Sequence, residues 1–338
     1  MRSRWPAEEG LNELQARLRA TVAAALPPPP SRWGFMPLPL HGNVGESAMV
    51  LGAFALLESM GWPAPTVISD IETFDPRSIE RRLGRGPIVI GGGGNFGDLW
   101  PREHAIRLRI LRELPDNPVI QLPQSVYFGR EESRAETAEA LTGRAGVTLF
   151  IRDARSVATV EGLFPGAAPI LCPDVAFALG LLDRGEATTD TVRLIRHDHE
   201  SRFGPESDEA TTGVDWVAEP SAPPIRAERR LRDLGIRWPW IRPGTDRLRQ
   251  ELHKPMARTR LSRGVALLSN GHRVVTDRMH AHILGLMLGI PHVIVGDRHG
   301  KIESFIETWT TGLPGFRFAP SLADADRMLS DVTTTTTS

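Results

Sequence analysis

His272-Arg273-Val274-Val275-Thr276-Asp277-Arg278-Met279-His280-Ala281-His282-Ile283-Leu284-Gly285 reads as a buried strand that turns into a helix. The apolar run delivers Asp277, Arg278 and His280 to the helix start, where unpaired amides and the positive end of the helix dipole add to the cations. Such a turn suits a phosphate or carboxylate ligand. A plainer reading, Asp277 as a helix cap paired with Arg278 at the surface, fits the same residues.

Outward from this stretch the same alternation continues in both directions. Residues 67–68, 87–90, 119–122, 147–151 and 169–172 read as buried strands, each followed by a segment long enough for a crossover helix. A second series covers 192–195, 213–217, 273–276, 292–295 and 316–319. This is the pattern of parallel sheets covered on both faces. The expected fold class is α/β, with two Rossmann-like domains facing a cleft at their carboxyl edges. The expected organisation is an N-terminal helix and Pro-rich linker over residues 1–34, Rossmann-like domains over 35–188 and 189–330, and a polar tail over 331–338. Residues 202–209 read as a loop, and 222–254 as a charge-rich, partly helical segment around Trp238 and Trp240.

The chain has 338 residues, enough for two cores. Its net charge of -1 supplies no global field for nucleic acid, and no Lys/Arg block or aromatic-interleaved basic run is expected to offset that. Cys172 is the single cysteine, which predicts a reducing, cytoplasmic setting without disulfides, and its apolar strand predicts a small core residue. The first 26 residues read as an amphipathic helix, neither a signal peptide nor a membrane span, ended by Pro27 to Pro30.

Gly92, Gly94 and Gly97 satisfy the G-x-G-x-x-G spacing after a strand. A dinucleotide site also needs an acidic residue at the end of the next strand, yet that strand runs into Gln121, Pro123 and Gln124, and Asp116 precedes it. The glycines are therefore expected as a turn facing the cleft, bringing backbone close to a ligand. A further loop, His41-Gly42-Asn43-Val44-Gly45-Glu46-Ser47-Ala48, follows a strand-like run at 36–40 and precedes a helix that Glu46 or Ser47 is expected to cap. Arg152 ends another strand, where an ion pair with Asp153 is the alternative to a ligand role. His197 and His199 flank Asp198 without further ligands at short range, so no metal site is expected.

Taken in order, Gly42-Asn43-x-Gly45-Glu46, Gly91 to Gly94 with Asn95, Arg152-Asp153-x-x-Ser156, Pro173-Asp174-Val175-Ala176-Phe177 and Thr276-Asp277-Arg278-Met279-His280, followed by Gly289-Ile290-Pro291 and Lys301, resemble the polysaccharide pyruvyl transferase family. The resemblance spans residues 37–309; it departs where Glu46 replaces the family's usual Asp, and over 196–254. It implies a fold like glycosyltransferase type B and transfer of the pyruvyl group of phosphoenolpyruvate onto two sugar hydroxyls as a cyclic ketal, with release of phosphate. It implies donor binding by Arg152, Arg278, His280, Lys301, Gly93, Gly94 and Asn95, and catalysis by His280, Arg278 and Arg152. Acceptor contacts fall to Asn43, Gly45, Glu46 and Asp98. His280 serves as general acid or as an anion-binding group.

No cofactor is implied beyond phosphoenolpyruvate as co-substrate. The expected partners are that donor and a sugar or glycan acceptor, with peripheral contact to a membrane carrying a lipid-linked acceptor, and no nucleic acid. Two other readings stay open: a nucleotide-sugar glycosyltransferase, with Glu303 and Glu307 as ribose-binding carboxylates, and a non-catalytic glycan-pathway binding protein.

Overall fold

The computed structural model describes residues 5, 7–198, 200–202 and 213–329. His199, most of the loop at 202–209 and the tail at 331–338 lie outside the described residues. The first sheet is wholly parallel and contains β1 (Gly34–Phe35), β2 (Val67–Ile68), β3 (Ile88–Ile90), β4 (Gly93–Gly97), β5 (Val119–Tyr127), β6 (Val147–Ile151) and β7 (Pro169–Leu171). Its order is β2-β1-β3-β5-β6-β7, with β4 also on β5. The second, also parallel, runs β11-β10-β9-β8, from β8 (Thr189–Leu194), β9 (Gly271–Thr276), β10 (His292–Val295) and β11 (Phe316–Ala319). The protein is thus a Rossmann-like α/β fold.

Eleven described helices surround these sheets: α1 (Glu8–Ala25), α2 (Val44–Ser59), α3 (Pro76–Leu83), α4 (Pro101–Glu113), α5 (Glu131–Leu141), α6 (Ala154–Leu163), α7 (Pro223–Arg237), α8 (Arg242–Ser269), α9 (Met279–Leu288), α10 (Lys301–Phe305) and α11 (Leu322–Met328). Among the described residues no helix is long and apolar enough to cross a membrane.

Both α2 and α9 are apolar on nearly every side and are buried accordingly. They join the sheets: a single apolar cluster runs from Phe35, Val89 and Phe150 in the first sheet through Met49 and Met279 to Leu194 and Ile294 in the second. Helix α1, whose Leu11, Leu14, Leu18 and Val22 line one face at helical spacing, belongs to the same cluster. Gln15 Nε2 donates from α1 to the carbonyls of Phe177 and Ala178, each at 3.3 Å. Separate clusters cover the opposite face of each sheet, around Ile88 and Val119 in the first and Val275 and Val293 in the second.

Three local expectations change. The run at 36–40 is not a strand beyond Phe35, because Pro37 and Pro39 offer no ladder donors. The expected strand at 213–217 is a single bridge between Val214 and Leu194. The glycine turn is instead an interruption within a strand. β3 pairs with Val119–Gln121, the chain loops out at Gly91 and Gly92, and β4 rejoins β5 at Gln124. Gly97 has φ +112°, and a Cβ there would lie 1.8 Å from the Tyr127 carbonyl oxygen, so glycine is required by the pairing itself.

Candidate active site

A cavity of about 360 Å³ opens between the two sheets. Most of its wall residues follow strand ends: Gly94 and Asn95, in β4, beyond the end of β3, Arg152 after β6, Arg196, His197, Asp198 and Glu200 after β8, Arg278 and His280 after β9, Asp297 after β10. This is where open parallel sheets present ligand sites.

Arg152 is buried and triply anchored. Its Nε donates to Ser125 Oγ at 2.9 Å, its Nη1 to Asp174 Oδ2 at 2.8 Å, and its carbonyl accepts from Trp309 Nε1 at 2.7 Å. The alternative, an ion pair with Asp153, does not occur among the described residues. Asp153 instead caps α6 through the Ser156 amide at 2.9 Å and accepts from Ser125 Oγ at 2.7 Å. The remaining Nη2 of Arg152 lies toward the glycine loop: a Cβ on Gly94 would sit 3.3 Å from it and 3.4 Å from Lys301 Nζ. Two cations from opposite sheets therefore converge on one side-chain-free residue.

His280 stands against Asp174 from the other wall, with Nε2 3.5 Å from Asp174 Oδ2, an ionic contact longer than a good hydrogen bond. That nitrogen has no hydrogen-bond partner among the described residues. Asp174 is completely buried, which by itself would raise its pKa; His280, Arg152 and the Ala176 amide outweigh burial and hold the carboxyl below the usual range. The ring of His280 lies on Gly45, where a Cβ would come 2.5 Å from its Cγ. Gly45, expected among acceptor contacts, thus makes room for His280.

Arg278 is the residue before α9 and has no capping side chain; Asp277 does not cap either, since its Oδ1 accepts from the Arg196 amide at 2.8 Å. Arg278 Nη2 donates to Asp215 Oδ2 at 2.5 Å and lies 3.6 Å from Asp198 Oδ2, while its Nε is buried without a partner among the described residues. Arg196 forks onto Asp198 at 2.9 and 3.0 Å and also pairs with Glu200. Glu200 takes Lys301 Nζ as well, and accepts from Trp100 Nε1 at 3.1 Å. Burial would raise the Glu200 pKa, but Lys301 and Arg196 pull it below the ordinary carboxylate range.

Asn95 lines the cavity, yet its side chain is occupied by Arg107 Nη2 at 2.7 Å and Gln124 Nε2 at 3.0 Å. Gln121 and Gln124 both donate to the Gly91 carbonyl, at 2.8 and 2.9 Å, so the polar residues inside β5 hold the glycine loop in place. Gly93 lies behind the wall against Met49. Asn43, and neither Glu46 nor Ser47, caps α2, accepting from the Gly45 amide at 3.1 Å. Asn43 and Glu46 line the cavity, and Glu46 pairs with His41 at 3.0 Å. Asp98 does not line it: its carboxylate accepts from the amides of Gly129 and Arg130, at 2.9 and 2.7 Å. Glu303 and Glu307 border a different surface depression beside Arg155 and Gly300.

The cavity thus unites Arg152, Arg278, His280, Lys301, Gly94 and Asn95, with Asn43 and Glu46 at its rim. Asp174, Asp198, Glu200 and Asp215 had no assigned role in the sequence reading. A carboxylate at the end of an apolar strand run was the available signal for Asp174; the others lie in a stretch where no motif was legible.

Parallel sheets of the Rossmann type with a polar cavity at their strand ends define a class of ligand-binding α/β proteins. Within that class a family profile for polysaccharide pyruvyl transferases matches residues 43–299, and the chain belongs to this transferase family. It is 27% identical over 292 residues to EpsO of Bacillus subtilis (strain 168), to which pyruvyl transferase activity is ascribed, covering 82% of this chain and 85% of that one. It is 27% identical over 285 residues to pyruvyl transferase 1 of Schizosaccharomyces pombe (strain 972 / ATCC 24843), covering 81% and 68%. The crystal structure of protein KP1_0663 from Klebsiella pneumoniae subsp. pneumoniae NTUH-K2044 shares the fold, with a TM-score of 0.58, 14% identity, and coverage of 92% of this chain and 98% of that one.

Proposed function

We propose that this protein transfers the pyruvyl group of phosphoenolpyruvate onto two hydroxyls of a sugar or glycan as a cyclic ketal, using the two sheets in a glycosyltransferase type B manner. The observation carrying this reading is the convergence of Arg152 Nη2 and Lys301 Nζ on Gly94 in the cavity that also holds His280 against Asp174. A small donor bearing a phosphate and a carboxylate needs at least two cationic grips around a proton source.

In the proposed reaction His280 gives a proton to the methylene carbon, leaving cationic character at the adjacent carbon. A sugar hydroxyl attacks that carbon and returns its proton to His280. The carbon–oxygen bond to phosphate then breaks, the second hydroxyl closes the ketal, and its proton leaves with the phosphate. Asp174 positions His280 and Arg152 through the contacts above, while Arg152, Lys301 and Arg278 grip the anionic groups. No metal or organic cofactor is required, since phosphate is a stable leaving group.

Each cation already has a protein carboxylate, so an anionic donor must compete with one. Asp198 is the accessible competitor, with 26% of its side chain exposed against 0% for Asp174 and 4% for Glu200. The test is phosphate release from phosphoenolpyruvate against a panel of sugar acceptors, with the product's methyl group followed by mass in heavy water. Acceptor-dependent release with one deuterium in the methyl group supports the reading. Release of nucleoside diphosphate from a nucleotide sugar, without phosphate release from phosphoenolpyruvate, overturns it.

A further inference from the structure

We infer that the α7–α8 hairpin is a docking surface for an anionic phospholipid bilayer. Its tip exposes Leu234, Ile236, Trp238, Trp240, Ile241 and Leu248, and Trp240 is 72% exposed. They lie on the last turn of α7, the connection and the first two turns of α8, with the Trp238 and Trp240 rings in edge contact at 5.0 Å. Such a concentration on one small protrusion differs from scattered surface apolar residues.

Charge selects the occupant. Arg226, Arg229, Arg230, Arg237, Arg247 and Arg258 are exposed on the same hairpin against the exposed acids Asp233 and Glu251, on a chain whose net charge is -1. Other arginines of the hairpin are engaged by carboxylates: Arg249 pairs with Asp70 and Glu228, and Arg232 with Glu72. Among the described residues no ion pair engages Arg229, Arg230, Arg237 or Arg247, whereas Arg226 donates to the Ser221 carbonyl at 2.8 Å. Tryptophan at the level of the headgroups, aliphatic residues beyond it and arginine beside it is the composition of an interfacial anchor. Nucleic acid would use the arginines and the indole rings but leaves no role for Leu234, Ile236, Ile241 and Leu248.

The hairpin is held rigidly at its base. Gln250 Nε2 donates to the Thr66 carbonyl at 2.9 Å, and Arg249 Nη1 to Thr73 Oγ1 at 3.3 Å, fastening it beside edge strand β2. A short connection leads from the cavity residue Val217 to the start of α7. Docking would hold the cleft near the bilayer, where a lipid-carried acceptor could reach it. That consequence rests on the proposed function, whereas the docking itself does not.

The experiment is co-sedimentation of the full chain with vesicles of phosphatidylcholine alone and of phosphatidylcholine with phosphatidylglycerol. Binding is expected to the anionic vesicles, to fall as salt is raised, and to drop about fivefold for each exposed arginine replaced, as for cations near an anionic surface. A Trp238→Ala, Trp240→Ala double variant and an Arg229→Glu, Arg230→Glu double variant should each lose binding while keeping the wild-type melting temperature and soluble-acceptor turnover. Equal recovery with neutral and anionic vesicles, or unchanged binding by both variants, overturns the inference. So does light scattering that shows a dimer dissociated by Trp240→Ala, which makes a second copy the occupant, or displacement from vesicles by duplex DNA at equal charge.

Discussion

On one wall of the cleft Arg152 is tied to Ser125, to the fully buried Asp174 and, through its carbonyl, to Trp309; on the other, Arg278 reaches Asp215 and the partly exposed Asp198, and its Nε has no partner among the described residues. The first wall has one arrangement of its charges. The second can exchange partners, because a carboxylate that already touches water loses little on leaving an arginine. In the proposed reaction a cleft built this way would keep its proton source and one grip fixed while the other grip accommodates an incoming anion.

The comparison breaks most readily at Asp174. Asp174→Ala leaves Arg152 buried beside no carboxylate, an expected cost of about 3–5 kcal/mol in urea unfolding. Asp215→Ala should cost clearly less, since Arg278 retains Asp198. Equal losses would mean that the two walls do not differ in the way described. Next in size, His280→Ala should lower turnover ~10²–10⁴-fold with donor affinity retained, the usual effect of removing a general acid. Arg278→Ala should lose donor affinity as well. A His280→Ala enzyme working at the wild-type rate would assign the proton to another group.

A smaller effect probes the looser wall from behind. Burial first, opposed by Arg196 and Arg278, raises the Asp277 carboxyl to about 6. A raised carboxyl pKa contributes stability below its unfolded value, near 4, and that contribution is lost as pH rises through about 6. Asp277→Asn should therefore melt at a higher temperature than wild type above about pH 6, by a margin on the order of 1–3 kcal/mol, and lose the advantage near pH 4. A pH-independent difference would contradict the assignment. The smallest expected effect is at Asp198: Asp198→Asn should tighten donor binding up to about fivefold by removing a competing partly exposed charge. Weaker binding in that variant would show that Asp198 supports the site.

The repeated strand-to-helix alternation was readable because buried parallel strands carry uninterrupted apolar runs, as at 88–90 and 292–295. So was the gathering of Arg152, Arg278, His280 and Lys301, since each stands where a strand run ends or a helix begins. What escaped the sequence depends on contacts between distant residues. Gly45 is small because of His280, Gln121 and Gln124 are polar because of the Gly91 carbonyl, and Asp98 faces the amides of Gly129 and Arg130. The joining of both sheets by α2 and α9 was equally invisible, because a helix apolar on nearly every side carries no periodic face to say what covers it. The segment around Trp238 and Trp240 reads in sequence as charge-rich without a basic run; which of its arginines face outward is set by the hairpin.

The central claim, that this cleft is a phosphoenolpyruvate site gripped from both walls, is tested most directly by thermal denaturation with candidate ligands, which needs no knowledge of the acceptor. At ~100 times its dissociation constant phosphoenolpyruvate should stabilise the wild type by about 2.7 kcal/mol, and NAD or NADP by nothing measurable. Relative to its own unliganded form, Arg152→Ala or Arg278→Ala should lose that gain. Stabilisation by a dinucleotide with none by phosphoenolpyruvate would contradict the account.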